Sequence, residues 1–230
     1  MTRTLRTARC CFGWVISVSA LAGCVQQSPA IAGRANFAST QGMQTSADQI
    51  LLGRALVLNH DCAGCHGGPT PASPDWLAGI KSPDNEFLIG PCAVHPGATP
   101  CFRTRPRNLT PDNATGLGRF SERQIFNALR YGLRPEDTPD VEIVSGTPGV
   151  GNFPTHPKYL APPMPWPGWR YMSDQELWAI AAYLKRAVKP VSNKVPDSEG
   201  PPDFWASAYT VDKIGPYPPV AFPAASERVP

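Results

Sequence analysis

The residues best placed to do chemistry are two cysteines and a histidine in one short run, Cys62-Ala63-Gly64-Cys65-His66. C-x-x-C-H is the attachment pattern of c-type haem. Thiols at this spacing add to the two vinyl groups of haem, and the adjacent histidine places its imidazole on the iron. The sequence therefore predicts one covalently bound haem c, with Cys62 and Cys65 as thioethers and His66 as the proximal iron ligand.

Two other chemistries use a C-x-x-C pair, and neither suits this sequence as well. Half of a zinc site would need a second C-x-x-C or a pair of histidines, and the chain has no such partner. A dithiol redox pair of the thioredoxin type sits in a βαβ pattern, which is absent around Cys62. The second ring nitrogen of His66 should donate to a backbone carbonyl, for which Pro69, Pro71 and Pro74 are candidates.

The sixth iron ligand decides between an electron carrier and a haem protein that binds small molecules. Met164 lies in the run APPMPWP at 161–167, which four prolines stiffen. A stiff loop loses less entropy when it holds a weakly bound thioether on a metal. Met164 is therefore the predicted distal ligand, and His95 and His156 are the alternatives.

The N-terminal segment has the pattern of an export signal. Three arginines precede a short apolar stretch at 10–20, and Leu21-Ala22-Gly23-Cys24 follows. This pattern predicts a cleaved signal over 1–23, against the alternative of a buried helix with accidental flanks. The LAGC tetrapeptide also resembles a bacterial lipoprotein cleavage box, which implies a lipid on Cys24. Val25 stands where an aspartate commonly signals retention in the inner membrane, so the outer membrane is favoured.

Charge and composition narrow the classes further. The formal charge of +3 comes from 21 basic and 18 acidic side chains. Loss of 1–23 removes three arginines and no acids, so the mature chain has no net charge and no electrostatic case for a nucleic-acid partner. An apolar fraction of 42% excludes a wholly disordered chain.

Proline spacing outlines the secondary structure. Of 28 prolines, 18 lie between 69 and 167, and three proline-free windows predict helices. Each window opens on a Ser followed three residues later by Gln or Glu, which is a capping box; the windows are 46–60, 121–133 and 173–188. The first is apolar nearly all round and should be buried. Loops at 67–119 and 134–171 are too long for a compact domain unless something else organises them.

These features divide the chain into four parts. A signal at 1–23 precedes a polar tether at 24–45, a domain at 46–189 and a proline-rich extension at 190–230. The extension holds five aromatic residues, which is too many for a freely solvated tail, so most of it should pack on the domain. A disordered tail is the alternative.

Three segments together resemble the class I c-type cytochromes, in particular the single-haem modules in cytochrome subunits of bacterial periplasmic dehydrogenases. They are LLGRALVLNHDCAGCHGG, NLTPDNATGLGRFSERQIFNALRYGL and APPMPWPGWRYMSDQELWAIAAYLK, within 46–189. The resemblance implies an all-α fold with three main helices around one haem and long Pro/Gly-rich loops. It also implies that the first and last helices cross, with Gly53 facing Tyr183 or Leu184.

The family's ligand roles carry over to Cys62, Cys65, His66 and Met164. Such modules often occur two or three to a chain, whereas these 230 residues contain one C-x-x-C-H, which predicts a single haem. Some side chains have two possible roles, either as hydrogen-bond donors to the haem propionates or as surface arginines and packed tryptophans: Arg105, Arg107, Asn108, Trp166 and Trp169.

Cys92 and Cys101 depart from the family pattern, because they bracket an insertion of eight residues. In an oxidising compartment they should form a disulfide. Free thiols, or a second metal site that includes His95, are the alternatives.

The function that follows is single-electron transfer in the periplasm by a lipid-anchored monohaem cytochrome, which is not an enzyme by itself. Its partner would be a redox protein, either a dehydrogenase or a terminal oxidase chain. The alternative is a haem catalyst or gas sensor with an open sixth iron position.

Overall fold

The computed structural model describes residues 46–80, 86–201 and 204–229. They belong to one compact unit, Gln41–Pro230. The predicted signal, the tether and the lipidated Cys24 lie outside the described residues. None of the helices in the described ranges is long and apolar enough to cross a membrane.

Helices form most of the regular structure. The three longest begin at or beside the predicted capping serines. Of the three short α-helices in the described residues, one follows the first long helix, one precedes the third long helix and one lies in the C-terminal extension. In chain order the helices are α1 (Ser46–Asn59), α2 (Cys62–His66), α3 (Glu122–Tyr131), α4 (Trp166–Trp169), α5 (Asp174–Arg186) and α6 (Val211–Ile214). The capping boxes of α3 and α5 are present, since Ser121 Oγ accepts from Gln124 N at 3.1 Å and Ser173 Oγ accepts from Glu176 N at 3.3 Å.

One short hairpin departs from the all-α expectation. Strand β1 (Phe87–Ile89) pairs antiparallel with β2 (Phe102–Thr104), and Leu88 lies opposite Arg103. Cys92 and Cys101 form a disulfide with their Cα atoms 5.4 Å apart, just inside the two strands. The disulfide closes the loop between the strands and so holds together the end of this short hairpin.

Helix α1 crosses α5 at very close range. Gly53 lies against the Ala179 carbonyl and the Tyr183 side chain. The sequence prediction that α1 is buried all round is wrong, because only Gly53 and Val57 are buried and Leu51 is 65% exposed. The reason is geometric, since α1 packs along one side on α5 and nothing in the described residues covers its other side.

The apolar interior consists of two clusters. The first cluster lies among α1, α3 and α5 and comprises Val57, Trp76, Leu77, Ile125, Phe126, Leu129, Leu177, Ile180, Ala181, Tyr183, Leu184 and Val188. The second cluster lies beneath the loop after α3 and the extension and comprises Phe102, Leu133, Ile143, Phe153, Tyr159, Trp166 and Trp205.

The C-terminal extension contacts the domain at several points. Trp205 is buried in the second cluster, with its ring 4.6 Å from that of Phe102. The Tyr171 hydroxyl donates to the carbonyl oxygen of Ile214 at 2.9 Å. Phe222, by contrast, is 65% exposed. Aromatic rings and backbone carbonyls thus join residues 204–217 to the domain.

Asn108 organises the long loop that precedes α3. Its Oδ1 accepts from the Thr110 amide and hydroxyl at 2.9 and 2.8 Å, and its Nδ2 donates to the Val191 carbonyl at 2.7 Å. Asn108 and Thr110 are almost completely buried. The side chain therefore replaces the backbone ladder that an irregular loop lacks.

Substitution of Gly53 by alanine tests the helix crossing. A Cβ at this position would lie 1.9 Å from the Ala179 oxygen, so the helices must separate. Overpacking costs about 1–3 kcal/mol, against about 1 kcal/mol gained in helix propensity. We expect urea unfolding of the protein to show a net loss of up to about 2 kcal/mol.

Gly168→Ala is the matched control, because a Cβ there meets nothing within 4 Å. Its free energy of unfolding should stay the same or rise by up to about 1 kcal/mol, because the gain in helix propensity meets no clash. Equal effects in the two variants would contradict the close crossing.

Substitution of Asn108 by alanine should be more damaging. It leaves the buried Thr110 amide without its acceptor and removes one of the two donors to the Val191 carbonyl, the other being the Thr110 hydroxyl. We expect a loss of about 2–4 kcal/mol in the free energy of unfolding. Asn113→Ala, at an exposed position of the same loop, should change it by less than about 0.5 kcal/mol. A similarly small effect of Asn108→Ala would remove Asn108 as the organiser of the loop.

Candidate haem site

The C-x-x-C-H residues form helix α2, which follows α1 after a sharp corner. Asp61 makes the corner in the left-handed region, with φ 50°, and its Oδ1 accepts from Gly64 N at 3.2 Å. A Cβ on Gly64 would lie 2.4 Å from the Asp61 carboxylate, so the small residue between the cysteines is needed for this cap. The corner holds the cysteines and the histidine on one short helical turn.

The two thiols of α2 lie in different surroundings. Cys62 is half-buried and packs against the first cluster, whereas Cys65 is exposed. They are free thiols, not joined to each other. Burial is the main reason that the pKa of Cys62 rises to about 11. Both remain available as thiols for thioether formation, and Cys62 is protonated at neutral pH.

The imidazole of His66 is oriented by a backbone carbonyl. Its Nδ1 donates to the Arg107 carbonyl oxygen at 2.6 Å. The sequence suggested a carbonyl of Pro69, Pro71 or Pro74, and that suggestion is wrong. The segment after α2 turns away, because Gly79 N donates to the His66 carbonyl at 2.7 Å, and this turn brings the chain around Arg107 against the ring.

This hydrogen bond sets the state of the ring. Because the carbonyl can only accept, Nδ1 carries the hydrogen and Nε2 is the nitrogen left to bind a metal. Burial lowers the pKa of His66, and the hydrogen bond to Arg107 opposes this only in part. The imidazole is therefore neutral at pH 7, which is the form that ligates iron.

Met164, 98 residues after His66 in the chain, reaches the same apolar region. Its side chain packs against the first cluster, as Cys62 does. A turn holds its backbone, with Met164 N donating to the Ala161 carbonyl at 2.9 Å. A few residues later, the Trp169 ring lies 5.7 Å from the His60 ring at the end of α1. The fold thus brings both the methionine segment and the C-x-x-C-H segment against the first cluster.

The donor set of these two segments suits a covalent haem. It comprises two free thiols at the attachment spacing, a neutral imidazole with a fixed tautomer, and a thioether beside the same apolar cluster. A bare metal ion would need more ligands, and the described ranges contain no group of three or more His, Cys, Asp or Glu side chains that could hold one.

Other residues singled out from the sequence lie elsewhere or bind other groups. Arg105 donates to the Asp197 carbonyl at 2.9 Å and pairs with Glu86 at 2.9 Å. Arg107 also donates to the extension, at Val195 and Asp197. Arg105 and Arg107 therefore hold the C-terminal extension in place. This favours a structural role for the two arginines over hydrogen bonds to haem propionates. His95 and His156 are exposed loop residues.

The Arg107 carbonyl is the contributor that sequence reasoning missed. A backbone oxygen has no residue signature, so its role could only be found from the path of the chain. Pro106 immediately before it is the sole local hint, since it restricts the backbone there.

The chain is similar to cytochrome subunits of several dehydrogenases. It is 25% identical over 155 residues to the fructose dehydrogenase cytochrome subunit of Gluconobacter japonicus, covering 67% of this chain and 24% of that protein. It is 26% identical over 172 residues to the gluconate 2-dehydrogenase cytochrome c subunit of Pantoea cypripedii, covering 74% of this chain and 30% of the relative.

A third relative is the cytochrome c subunit of alcohol dehydrogenase (quinone) from Gluconacetobacter polyoxogenes, 29% identical over 170 residues. That match covers 72% of this chain and 28% of the relative, so the chain spans less than a third of the length of each of these proteins. No protein-family model matches the chain. The three relatives support placing this chain in the cytochrome c family.

Proposed function

We propose that this chain is a monohaem c-type cytochrome that transfers single electrons in the periplasm. The observation that carries the proposal is the His66 ring, which stands at the end of a C-x-x-C-H helix with Nδ1 on the Arg107 carbonyl and Nε2 left for iron. Cys62 and Cys65 would form the two thioethers, and Met164 would be the distal ligand. No substrate bond is made or broken, so the chain by itself is not an enzyme.

Each residue contributes to keeping both iron ligands in place. Haem c would supply one iron that alternates between the ferrous and ferric states. The carbonyl of Arg107 fixes the ring plane and the tautomer of His66, and the prolines around Met164 limit the motion of its thioether. The first cluster provides an apolar surface against which Cys62 and Met164 pack. An apolar surrounding and His/Met ligation favour a higher reduction potential than His/His ligation.

A dehydrogenase is the proposed source of electrons. The relatives are named as cytochrome subunits of fructose, gluconate and alcohol dehydrogenases. Those names support a role as the electron-accepting subunit of such a complex, or as a carrier that accepts electrons from one. The shared chemistry is removal of electrons from a small hydroxyl-bearing substrate by a separate catalytic subunit.

The proposed location is the periplasmic face of the envelope, with a lipid on Cys24. The arginine-rich start, the short apolar stretch and the LAGC tetrapeptide support this proposal, and Val25 favours the outer membrane. The Cys92–Cys101 disulfide also supports an oxidising compartment such as the periplasm.

Met164→Ala tests the ligand set and the function together. The parent holoprotein should contain one haem per chain by pyridine haemochrome assay and show the near-infrared sulfur-to-iron band when ferric. The variant should lose that band and, once reduced, bind carbon monoxide, because the sixth position opens. Its reduction potential should fall, since thioether ligation favours the ferrous iron.

Met172→Leu is the matched control, because Met172 also packs against the first cluster. It should keep the band and stay closed to carbon monoxide. A parent protein that lacks the band and binds carbon monoxide would overturn the carrier function and favour a catalyst or gas sensor.

Cys24→Ser tests the anchor. The parent should fractionate with the outer membrane and carry a lipid mass on its first mature residue, whereas the variant should be found in the soluble periplasmic fraction with its haem intact. Haem staining confined to the inner membrane would contradict the proposed location, and an unchanged distribution of the variant would contradict lipidation.

A further inference from the structure

A cavity of about 530 Å³ opens beside the second cluster, between the loop after α3, helix α4 and the extension. Its inner wall is formed by buried side chains, Phe153, Tyr159, Trp166 and Arg170. Its mouth is formed by exposed residues, which include Thr155, His156, Lys158, Thr210 and Val211. The wall is largely aromatic, and the volume is sufficient for a small organic molecule.

Arg170 is the unusual member of this wall. It is only 5% exposed, and its Nε is buried without a hydrogen-bond partner. Within the described residues the guanidinium has no carboxylate partner. It lies over aromatic rings instead, with its Cζ at 5.9, 5.6 and 5.3 Å from the ring centres of Trp166, Tyr171 and Tyr217. A buried cation without an anion is costly, and an arginine does not lose its charge at neutral pH.

Arg130 is a second buried arginine, next to Arg170, and its guanidinium has a full set of hydrogen-bond and charge partners. It is 2% exposed, and its guanidinium donates to the carbonyls of Arg170 and Met172 and pairs with Asp174 at 2.5 Å. The two arginines are similarly buried, but within the described residues Arg170 has neither the carbonyl acceptors nor the carboxylate that Arg130 has. An anion would supply both the negative charge and the acceptor oxygens that Arg170 lacks.

The rest of the cavity is suited to an anion with an apolar body. No acidic side chain is among the described residues that line it, and His156 and Lys158 stand at the mouth. Tyr159 stacks on Trp166 at 5.7 Å, and Tyr209 meets both rings edge-on. Trp166 Nε1 is also buried and has no acceptor in hydrogen-bonding geometry. A flat ring would find aromatic partners here, and its charged group would find a donor.

We propose that this cavity binds a small organic carboxylate with an aromatic or flat apolar body, whose carboxylate pairs with Arg170. The site is separate from the haem ligands, since Cys62, His66 and Met164 are not in its wall. Met164 packs on the first cluster and Trp166 on the second, so nearby residues of one short segment contact the two different clusters.

Calorimetric titration of the holoprotein with benzoate tests the proposal, with benzamide as a neutral probe of the same shape. Benzoate should bind saturably at one site, and benzamide should bind about 10- to 100-fold more weakly, as expected for loss of a charge-assisted hydrogen bond. Absence of saturable benzoate binding, or equal affinity for the two probes, would overturn the proposal.

Three variants separate the guanidinium from the cavity itself. Arg170→Gln removes the charge, and Ala206→Phe fills the cavity but leaves the charge, so each should weaken benzoate binding at least about tenfold. Arg123→Gln is the matched control, because Arg123 also lies over a tryptophan ring, at 4.7 Å from Trp178, but is not part of this wall. It should bind benzoate as the parent does.

The remaining occupant of the Arg170 site to consider is a haem propionate. If a propionate pairs with Arg170, the parent should not bind benzoate, and Arg170→Gln should change the pH dependence of the haem reduction potential. Those two results together would reject the proposal. If Arg170→Gln does not fold, Ala206→Phe still decides the outcome, because unchanged benzoate affinity in that variant places binding outside the cavity.

Discussion

The hydrogen bond from His66 Nδ1 to the Arg107 carbonyl joins the two parts of the chain on which the site depends. It links the C-x-x-C-H helix to a loop 41 residues away, at 2.6 Å. The loop can present that carbonyl because Asn108 next to it is buried and holds both Thr110 and Val191. Asn108 therefore links Val191, at the start of the C-terminal extension, to the loop whose carbonyl orients the His66 ring.

Side-chain amides do the same work elsewhere in the long loops. Asn193 Nδ2 donates to the carbonyls of Ala78 and Ile80 at 2.7 and 3.2 Å, which ties the start of the extension to the segment after α2. Arg105 and Arg107 add donors to residues 195–199. Loops of this length are rarely ordered without secondary structure. Here buried amides and guanidinium groups supply the partners that backbone ladders would otherwise provide.

The short segment around Met164 serves two sites at once. Met164 packs on the first cluster with Cys62, whereas Trp166, two residues on, belongs to the second cluster beside the cavity. Gly132 makes the approach possible, because a Cβ there would lie 2.2 Å from the Trp166 ring. The same prolines that limit the freedom of the thioether also fix the aromatic wall on the other side.

Local features were open to prediction from sequence, because their determinants lie within a few residues. The capping boxes at Ser121 and Ser173 and the C-x-x-C-H run are of this kind. The exposed side of α1, the Arg107 carbonyl on His66 and the unpaired charge of Arg170 were decided by tertiary structure alone. Each depends on which distant segments meet, and a backbone oxygen or an absent partner has no signature in the order of residues.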